Sequence, residues 1–194
     1  MAKKIDTTKL DRIREASVEI ISESGILNCP VASIARRAGV SVGYLYRHYP
    51  SKVELINDLL EEALNAIAGQ IDTLMAGSSD IRTIVNGIVS FIIESAEKNR
   101  AKHKFLIMLL NDFSVGIKPE TQRRIREIAH KLIETGQKNK VLRNGISAND
   151  LYLALVGIPM QFLAAEYRFD FGERQSGREE LIRRITDVSL NLIQ

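Results

Sequence analysis

The chain has 194 residues, of which 45% are hydrophobic and 26% are charged. This composition excludes a disordered chain and predicts one domain, or a small domain followed by a larger one, whose core needs no disulfide or metal. The single cysteine, Cys29, cannot form an internal disulfide, so a reducing cytoplasm is the expected location. The N-terminus lacks the apolar run of a secretory signal. The longest apolar run, residues 151–165, is short for a bilayer and contains Pro159, so we expect no membrane helix.

The net charge of +3 is concentrated at one end of the chain. Residues 1–55 hold nine basic and six acidic side chains, whereas the remainder holds 18 of each. No acidic residue lies between Glu23 and Glu54, although Arg36, Arg37 and Arg47 fall there. A local basic stretch in an otherwise neutral protein favours an anionic partner such as nucleic acid; the alternative is a solvated surface.

Apolar residues recur at three- and four-residue steps, which predicts helices throughout. The first ends near Gly25, and a long one opens at Ser51–Glu54, where the sequence fits a capping box, and ends at Gly77. Later helices are expected at about residues 81–98, 102–113, 120–138, from Ser147, and 178–193. The prediction is an all-α chain of about nine helices, with a three-helix head in residues 1–50 and a larger helical body in 51–194.

Residues 31–50 carry the spacing of a helix-turn-helix. Ala35 is small where two helices would cross, and Gly39, four positions later, suits a turn with positive φ. Ser41 can cap the second helix. The apolar residues expected to pack around them are Ile34, Ala38, Val40 and Leu45.

This segment resembles the N-terminal signature of TetR-family transcriptional regulators. The resemblance covers about residues 8–56 and rests on Ile34-Ala35-x-x-Ala38-Gly39-Val40-Ser41-x-Gly43-x-Leu45-Tyr46-x-His48-Tyr49-x-Ser51-Lys52-x-x-Leu55. It implies a dimer, a three-helix DNA-binding head, and a helical body that binds a small effector and releases DNA.

The sequence departs from that family pattern at three places. Cys29-Pro30 stand where Thr or Ser usually precedes the second helix; Pro30 suits the first helical position, but Cys29 is a poor cap. Val42 stands where Lys or Arg is common, and Tyr44 where a small residue is common, so the base preference is expected to differ.

The second helix of such a motif enters the major groove with its N-terminal residues at the base edges. Val42, Gly43 and Tyr44 are predicted there, and Gly43 would let the backbone approach DNA closely. Tyr49 is predicted to be a core residue. The predicted phosphate contacts are Ser41, Tyr46, Arg47, His48 and Lys52.

Eight residues on the central helices combine apolar bulk with a few polar groups, as ligand cavities do, although each alone also suits an ordinary core. Pro159 beside Gly157 is expected to open the chain locally toward a pocket. The expected effector is apolar or aromatic. The predicted ligand-binding residues are Phe91, Phe105, Met108, Asn111, Tyr152, Met160, Gln161 and Phe162.

The last two helices have broad apolar faces, which predict a four-helix interface across a two-fold axis; the alternative is that they only cover the monomer core. The residues concerned are Leu153, Val156 and Met160 on one helix and Leu181, Ile185, Val188 and Leu192 on the other.

The remaining candidate sites are weak. Glu127 and His130 have the spacing of a di-metal bundle, but no second copy is present, so a solvated face is favoured. Cys29 fits a packing role better than redox sensing. No phosphate loop or catalytic triad is visible, so no catalysis, cofactor or metal is predicted.

The predicted function is therefore a homodimeric, sequence-specific repressor that binds a palindromic operator in double-stranded DNA and is released by a small effector. Two alternatives remain: a ligand-independent architectural DNA-binding protein on the same fold, and a helical protein that binds a partner protein.

Overall fold

The computed structural model describes residues 7–112, 114–169 and 177–194. Within these ranges there is no strand, and the predicted all-α architecture of nine helices is confirmed. Phe113, the expected end of one helix, lies outside the described residues. The helices are α1 (Thr7–Ser24), α2 (Val31–Arg37), α3 (Val42–His48), α4 (Lys52–Gly77), α5 (Ile81–Lys98), α6 (Arg100–Leu110), α7 (Pro119–Lys138), α8 (Ala148–Arg168) and α9 (Arg178–Ile193).

The described residues form two compact units. The first lies within Met1–Glu62 and Asn99–Ile117, and the second within Ala63–Lys98 and Lys118–Gln194. Helix α4 begins in the first unit and ends in the second, and α6 joins the first. This division differs from the functional one predicted at residue 50, which stays a prediction.

The first unit is built around α1, which packs on both α2 and α6. Ile13 and Ile21 on α1, Leu45 on α3 and Phe105 on α6 are almost completely buried. The seven-residue helices α2 and α3 are too short to be stable alone, so this shared apolar core holds them in place.

The second unit is built around α5, whose apolar face is buried along its length. Ile84, Val85, Ile88 and Val89 are each 0% exposed. Helix α9 packs on α5, and an ion pair of 2.8 Å between Arg82 and Asp187 joins the two at the surface.

The predicted helix starts are largely confirmed. Ser147 and Asp150 form both bonds of a capping box at the start of α8, and the Ser51 hydroxyl accepts the Glu54 backbone N–H at 3.1 Å. At α2, however, Pro30 is the N-cap residue and not the first helical residue, and the end has no side-chain cap. The predicted positions are thus wrong by one residue, because Pro30 and not Cys29 is the residue that leaves this start without a side-chain cap.

Helix α8, which is 21 residues long, continues through Pro159, where the sequence analysis expects the chain to open locally. A proline ring in an α-helix meets the carbonyl four residues earlier, which here belongs to Leu155. Leu155 lies in a π-helical stretch, Leu153–Gly157, where the carbonyls bond one residue further along and the turn is wider. The helix therefore accommodates the proline without ending.

Among the described residues, α8 is the one helix long and apolar enough to cross a membrane, by length and composition alone. Buried core helices meet the same criterion. Ala154, Leu155, Met160 and Leu163 of α8 are buried within the protein, whereas Tyr152 and Leu153 are exposed.

Candidate nucleic-acid interface

The turn between α2 and α3 has the predicted helix-turn-helix geometry. Gly39 adopts φ +64°, a left-handed conformation that favours glycine, and the Val40 N–H donates to the Ala35 carbonyl at 2.9 Å. Ala35 and Ala38 are 1% and 2% exposed, so small side chains do stand where α2 and α3 come together. The turn thereby fixes the direction in which α3 leaves α2.

The N-terminal end of α3 is open to solvent. The Ser41 hydroxyl accepts the Tyr44 N–H at 3.1 Å, which confirms the predicted cap. Val42 and Tyr46 are 40% and 47% exposed, although both are large apolar or aromatic residues. A methyl group added at Gly43 would have nothing within 4 Å. Both side chains and backbone are therefore accessible at the end of α3 that a major groove would admit.

Tyr44 is half-buried, and two neighbours surround its ring. The Lys9 ammonium of α1 lies 5.5 Å from the ring centroid, and the His48 ring, one turn further along α3, lies at 4.7 Å with a 48° tilt. Lys9 is not among the predicted contact residues. Its position in the first helix of a basic head is the only sequence signal that points to it.

The cations of this unit divide into paired and unpaired groups. Arg37 pairs with Glu19 at 2.7 Å, which ties α2 to α1. Among the residues described, Arg12, Arg36 and Arg47 make no ion pair and are exposed. Arg12, which sequence reasoning also missed, places its guanidinium 3.3 Å from where a side chain at Gly39 would begin. Unpaired positive charge thus lies on α1, α2 and α3, as binding to phosphates requires.

A part-buried carboxylate network fastens α3 to its neighbours. The Tyr49 hydroxyl at the end of α3 donates to Asp58 of α4 at 3.1 Å, and Arg14 of α1 donates to the same oxygen at 3.3 Å. Tyr49 is 7% exposed, so its predicted core role is confirmed. Burial and the nearby Asp58 charge raise the pKa of Tyr49 to about 12, so its hydroxyl remains a donor across the physiological range.

Lys52 has a structural partner that sequence reasoning did not predict. Its ammonium donates to the Ile26 carbonyl at 2.8 Å, which joins the start of α4 to the α1–α2 connection. The bond uses one of the three ammonium donors. The predicted phosphate contact of Lys52 therefore stays a prediction, alongside this structural bond.

The family model "Bacterial regulatory proteins, tetR family" matches residues 13–59. This match spans the end of α1, the whole helix-turn-helix and the first part of α4. Residues 13–59, about a quarter of the chain, thus match the N-terminal segment of TetR-family proteins. TetR-family proteins are DNA-binding transcription regulators, and the matched segment is the DNA-binding part.

Two curated relatives differ in how much of the chain they match. "Uncharacterized HTH-type transcriptional regulator YvdT" of Bacillus subtilis (strain 168) is 29% identical over 103 residues, 52% of this chain and 50% of that protein. The chain thus spans about half the length of this relative. "Nucleoid occlusion factor SlmA" of Shewanella frigidimarina (strain NCIMB 400) is 26% identical over 180 residues, 87% of this chain and 89% of that one.

Solved structures of the family share the whole fold. A TetR family transcription regulator from Marinobacter aquaeolei VT8 has a TM-score of 0.77 at 16% identity, over 97% of this chain and 96% of that one. The regulator FadR from Bacillus subtilis, crystallised with stearoyl-CoA, has a TM-score of 0.69 at 15% identity, over 95% and 100%. At these identities the likeness is one of fold.

The predicted ligand-binding residues are distributed over both compact units. Phe105, Met108 and Asn111 belong to the first unit, and the other five to the second. Phe105 and Met160 are 2% and 4% exposed, as core residues are, whereas Asn111, Tyr152 and Gln161 are exposed. The common pocket proposed for all eight stays a prediction.

Met108 and Asn111 line an open groove of about 620 Å³ in the first unit. Its other walls are the α1–α2 connection, Ser24–Asn28, and the residues Asp112 and Ser114 after α6. Leu27, at 92% exposure, stands in this connection with no apolar cover.

Cys29, for which the sequence favours a packing role, is buried in the structure. Cys29 is 0% exposed, and burial raises the pKa of its thiol, so the thiolate that reacts with oxidants is disfavoured. In the part of the chain that the structure describes, no three His, Cys, Asp or Glu side chains are placed to share a metal ion.

Replacing Tyr49 by Phe tests the carboxylate network. The variant loses the hydroxyl bond to Asp58, and we expect the free energy of unfolding in urea at pH 7 to fall by about 1–2 kcal/mol. Because the pKa of Tyr49 rises from an ordinary 10.0 to about 12 in the fold, the wild-type protein loses stability as pH rises through this interval. The difference between wild type and variant should therefore shrink there. Tyr46→Phe, with an exposed hydroxyl, is the control and should unfold as wild type.

Replacing Gly43 by Ala separates folding from DNA approach. The added methyl meets open space in the free protein, so we expect stability to be unchanged or raised by up to about 1 kcal/mol. If the α3 backbone lies against the base edges, the methyl should weaken duplex binding at least about tenfold. Gly69→Ala, in the interior of α4, should give the stability gain without the binding loss. Wild-type affinity in Gly43→Ala would mean that this backbone does not approach DNA.

Proposed function

We propose that this protein is a homodimeric transcriptional regulator that reads a palindromic operator in double-stranded DNA through α3. The observation that carries the proposal is the solvent-open N-terminal end of α3, within the matched family segment and beside unpaired cations. Exposed side chains and backbone at this end suit base contacts, and Arg12, Arg36 and Arg47 suit phosphates. The proposal assigns no catalysis and places the protein in the cytoplasm, where bacterial DNA lies.

The dimer follows from the symmetry of the site to be read, since paired half-sites require paired heads. The interface first expected on α8 and α9 needs correction. Val156, Met160 and Ile185 are buried within the single chain, so they fill its core and are not available to a partner. Leu153 and Val188 remain 48% and 43% exposed. We assign the two-fold contact to these exposed apolar positions, together with Tyr152 at 42%.

The regulatory part of the proposal is release by a small apolar or aromatic effector. Helix α4 belongs to the head at its start and to the second unit at its end, so a shift along α4 changes the spacing of the two heads. In one conformation of the dimer, the distance between the two heads does not match the half-sites. To shift the protein almost completely into this conformation, the effector must bind it about 10⁴-fold more tightly than the DNA-binding conformation. The stearoyl-CoA complex of FadR supports an apolar ligand on this fold.

Selection of bound duplexes from a random DNA library, at near-physiological salt, tests this function. Enrichment of a palindrome whose half-sites are about one helical turn apart is the expected result. Binding without an enriched sequence would contradict a sequence-specific regulator. Failure to bind any duplex, after refolding to remove a carried-over effector, would favour the partner-protein alternative.

A second candidate is a chromosome-wide, effector-independent DNA-binding role. The observation that favours it is the 26% identity to a nucleoid occlusion factor across 87% of this chain. Mapping of bound sites in cells separates the two candidates. A few sites beside genes would support the regulator, whereas many sites spread over the chromosome, with no effector that releases them, would support the second role.

A further inference from the structure

We propose that Lys9 is a positioning residue that determines which base pair Tyr44 reads. The proposal rests on the proposed function, because it assigns a determinant of sequence preference within the same interface. It begins from Tyr44, one of the two residues in the first turn of α3 that depart from the family pattern.

Tyr44 occupies the third position of α3, where side chains reach base edges. A tyrosine side chain is long, so rotation about its first side-chain bond moves the hydroxyl far from its original position. Base selectivity depends on holding such a group in one place. Whatever restricts the ring therefore contributes to the preference without itself touching a base.

Two side chains restrict the ring. The Lys9 ammonium, 5.5 Å from the centroid, is within the range at which a cation is attracted to an aromatic ring. The His48 ring lies at 4.7 Å in a tilted arrangement that aromatic pairs favour. His48 belongs to α3 itself, whereas Lys9 belongs to α1. Lys9 thus links the Tyr44 ring to a different helix, α1.

The Lys9 ammonium is also a positive charge beside α3. It would therefore bind a phosphate of the duplex even if it did not position Tyr44. A phosphate contact carries no sequence information, because every duplex offers the same phosphates. The two roles therefore make different predictions. Loss of a phosphate contact weakens all duplexes equally, whereas loss of the ring contact changes the order in which duplexes are preferred.

The test compares Lys9→Met with Arg12→Met in the library selection. Both variants remove one positive charge from α1, three residues apart, but only Lys9 lies over the Tyr44 ring. For Lys9→Met we expect discrimination at the Tyr44-read base pair to fall about two- to fivefold, the size of an exposed cation–ring contact. Arg12→Met should weaken all duplexes evenly and lower the salt slope by about one per head. Lys9→Arg should keep the wild-type order, because guanidinium also binds rings.

A double-mutant cycle makes the assignment specific to Tyr44. In a Tyr44→Ala background, Lys9→Met should change the order of preferred sequences no further. Thermal unfolding of each variant checks that the head is folded, and Lys9→Gln replaces Lys9→Met if the latter is not.

Two results would overturn the proposal. If Lys9→Met lowers affinity evenly and keeps the wild-type order, Lys9 is only a phosphate contact. If it changes the order equally with and without Tyr44, Lys9 reads a base directly. A wild-type protein with no sequence preference would instead refute the proposed function itself, and this inference with it.

Discussion

The Asp58 carboxylate holds α3, the second helix of the helix-turn-helix, in place. A helix of seven residues is too short to persist alone in water, so the direction of α3 depends on its attachments. Leu45 anchors it through the apolar core, and Tyr49 fixes its end to Asp58 of α4. Arg14 of α1 neutralises the same carboxylate, so a charge close to the core is both paired and hydrogen-bonded. Because α4 continues into the second unit, it links the helix proposed to read DNA, along the chain, to the unit where regulation is proposed.

The basic residues of the head serve two purposes. Arg14 and Arg37 pair with acids, and Lys52 binds a backbone carbonyl, so these cations hold the head together. Arg12, Arg36 and Arg47 have no ion pair among the described residues. Leaving like charges unpaired destabilises the folded state slightly, but in the proposed complex phosphates would neutralise them. The net charge of the chain is small because most of its cations are balanced, and the imbalance falls on the exposed surface of the head.

Local features of the fold were predictable from the sequence because local chemistry determines them. Gly39 takes the positive φ that its turn requires, and Ser41 and Ser147 cap the helices that follow them. Each depends on residues within a few positions of one another.

The features that sequence reasoning missed depend on contacts between distant segments or on a rare backbone form. The contact of Lys9 with Tyr44 joins α1 to α3, and Lys52 bonds to a carbonyl 26 residues earlier. The π-helical turns before Pro159 have no residue signature that distinguishes them from an ordinary proline kink. The dimer face was misjudged at Val156 because apolar periodicity does not distinguish a side chain that packs inside its own chain from one that meets a partner.

A structure of the protein bound to a palindromic duplex tests most directly whether α3 reads DNA as one of a two-fold pair. We expect the Gly43 backbone of each subunit to lie against base edges in the major groove. The two α3 helices should be about 34–36 Å apart along the duplex, or a multiple of that distance. A complex in which the duplex lies on another surface, with α3 facing solvent, would contradict this account.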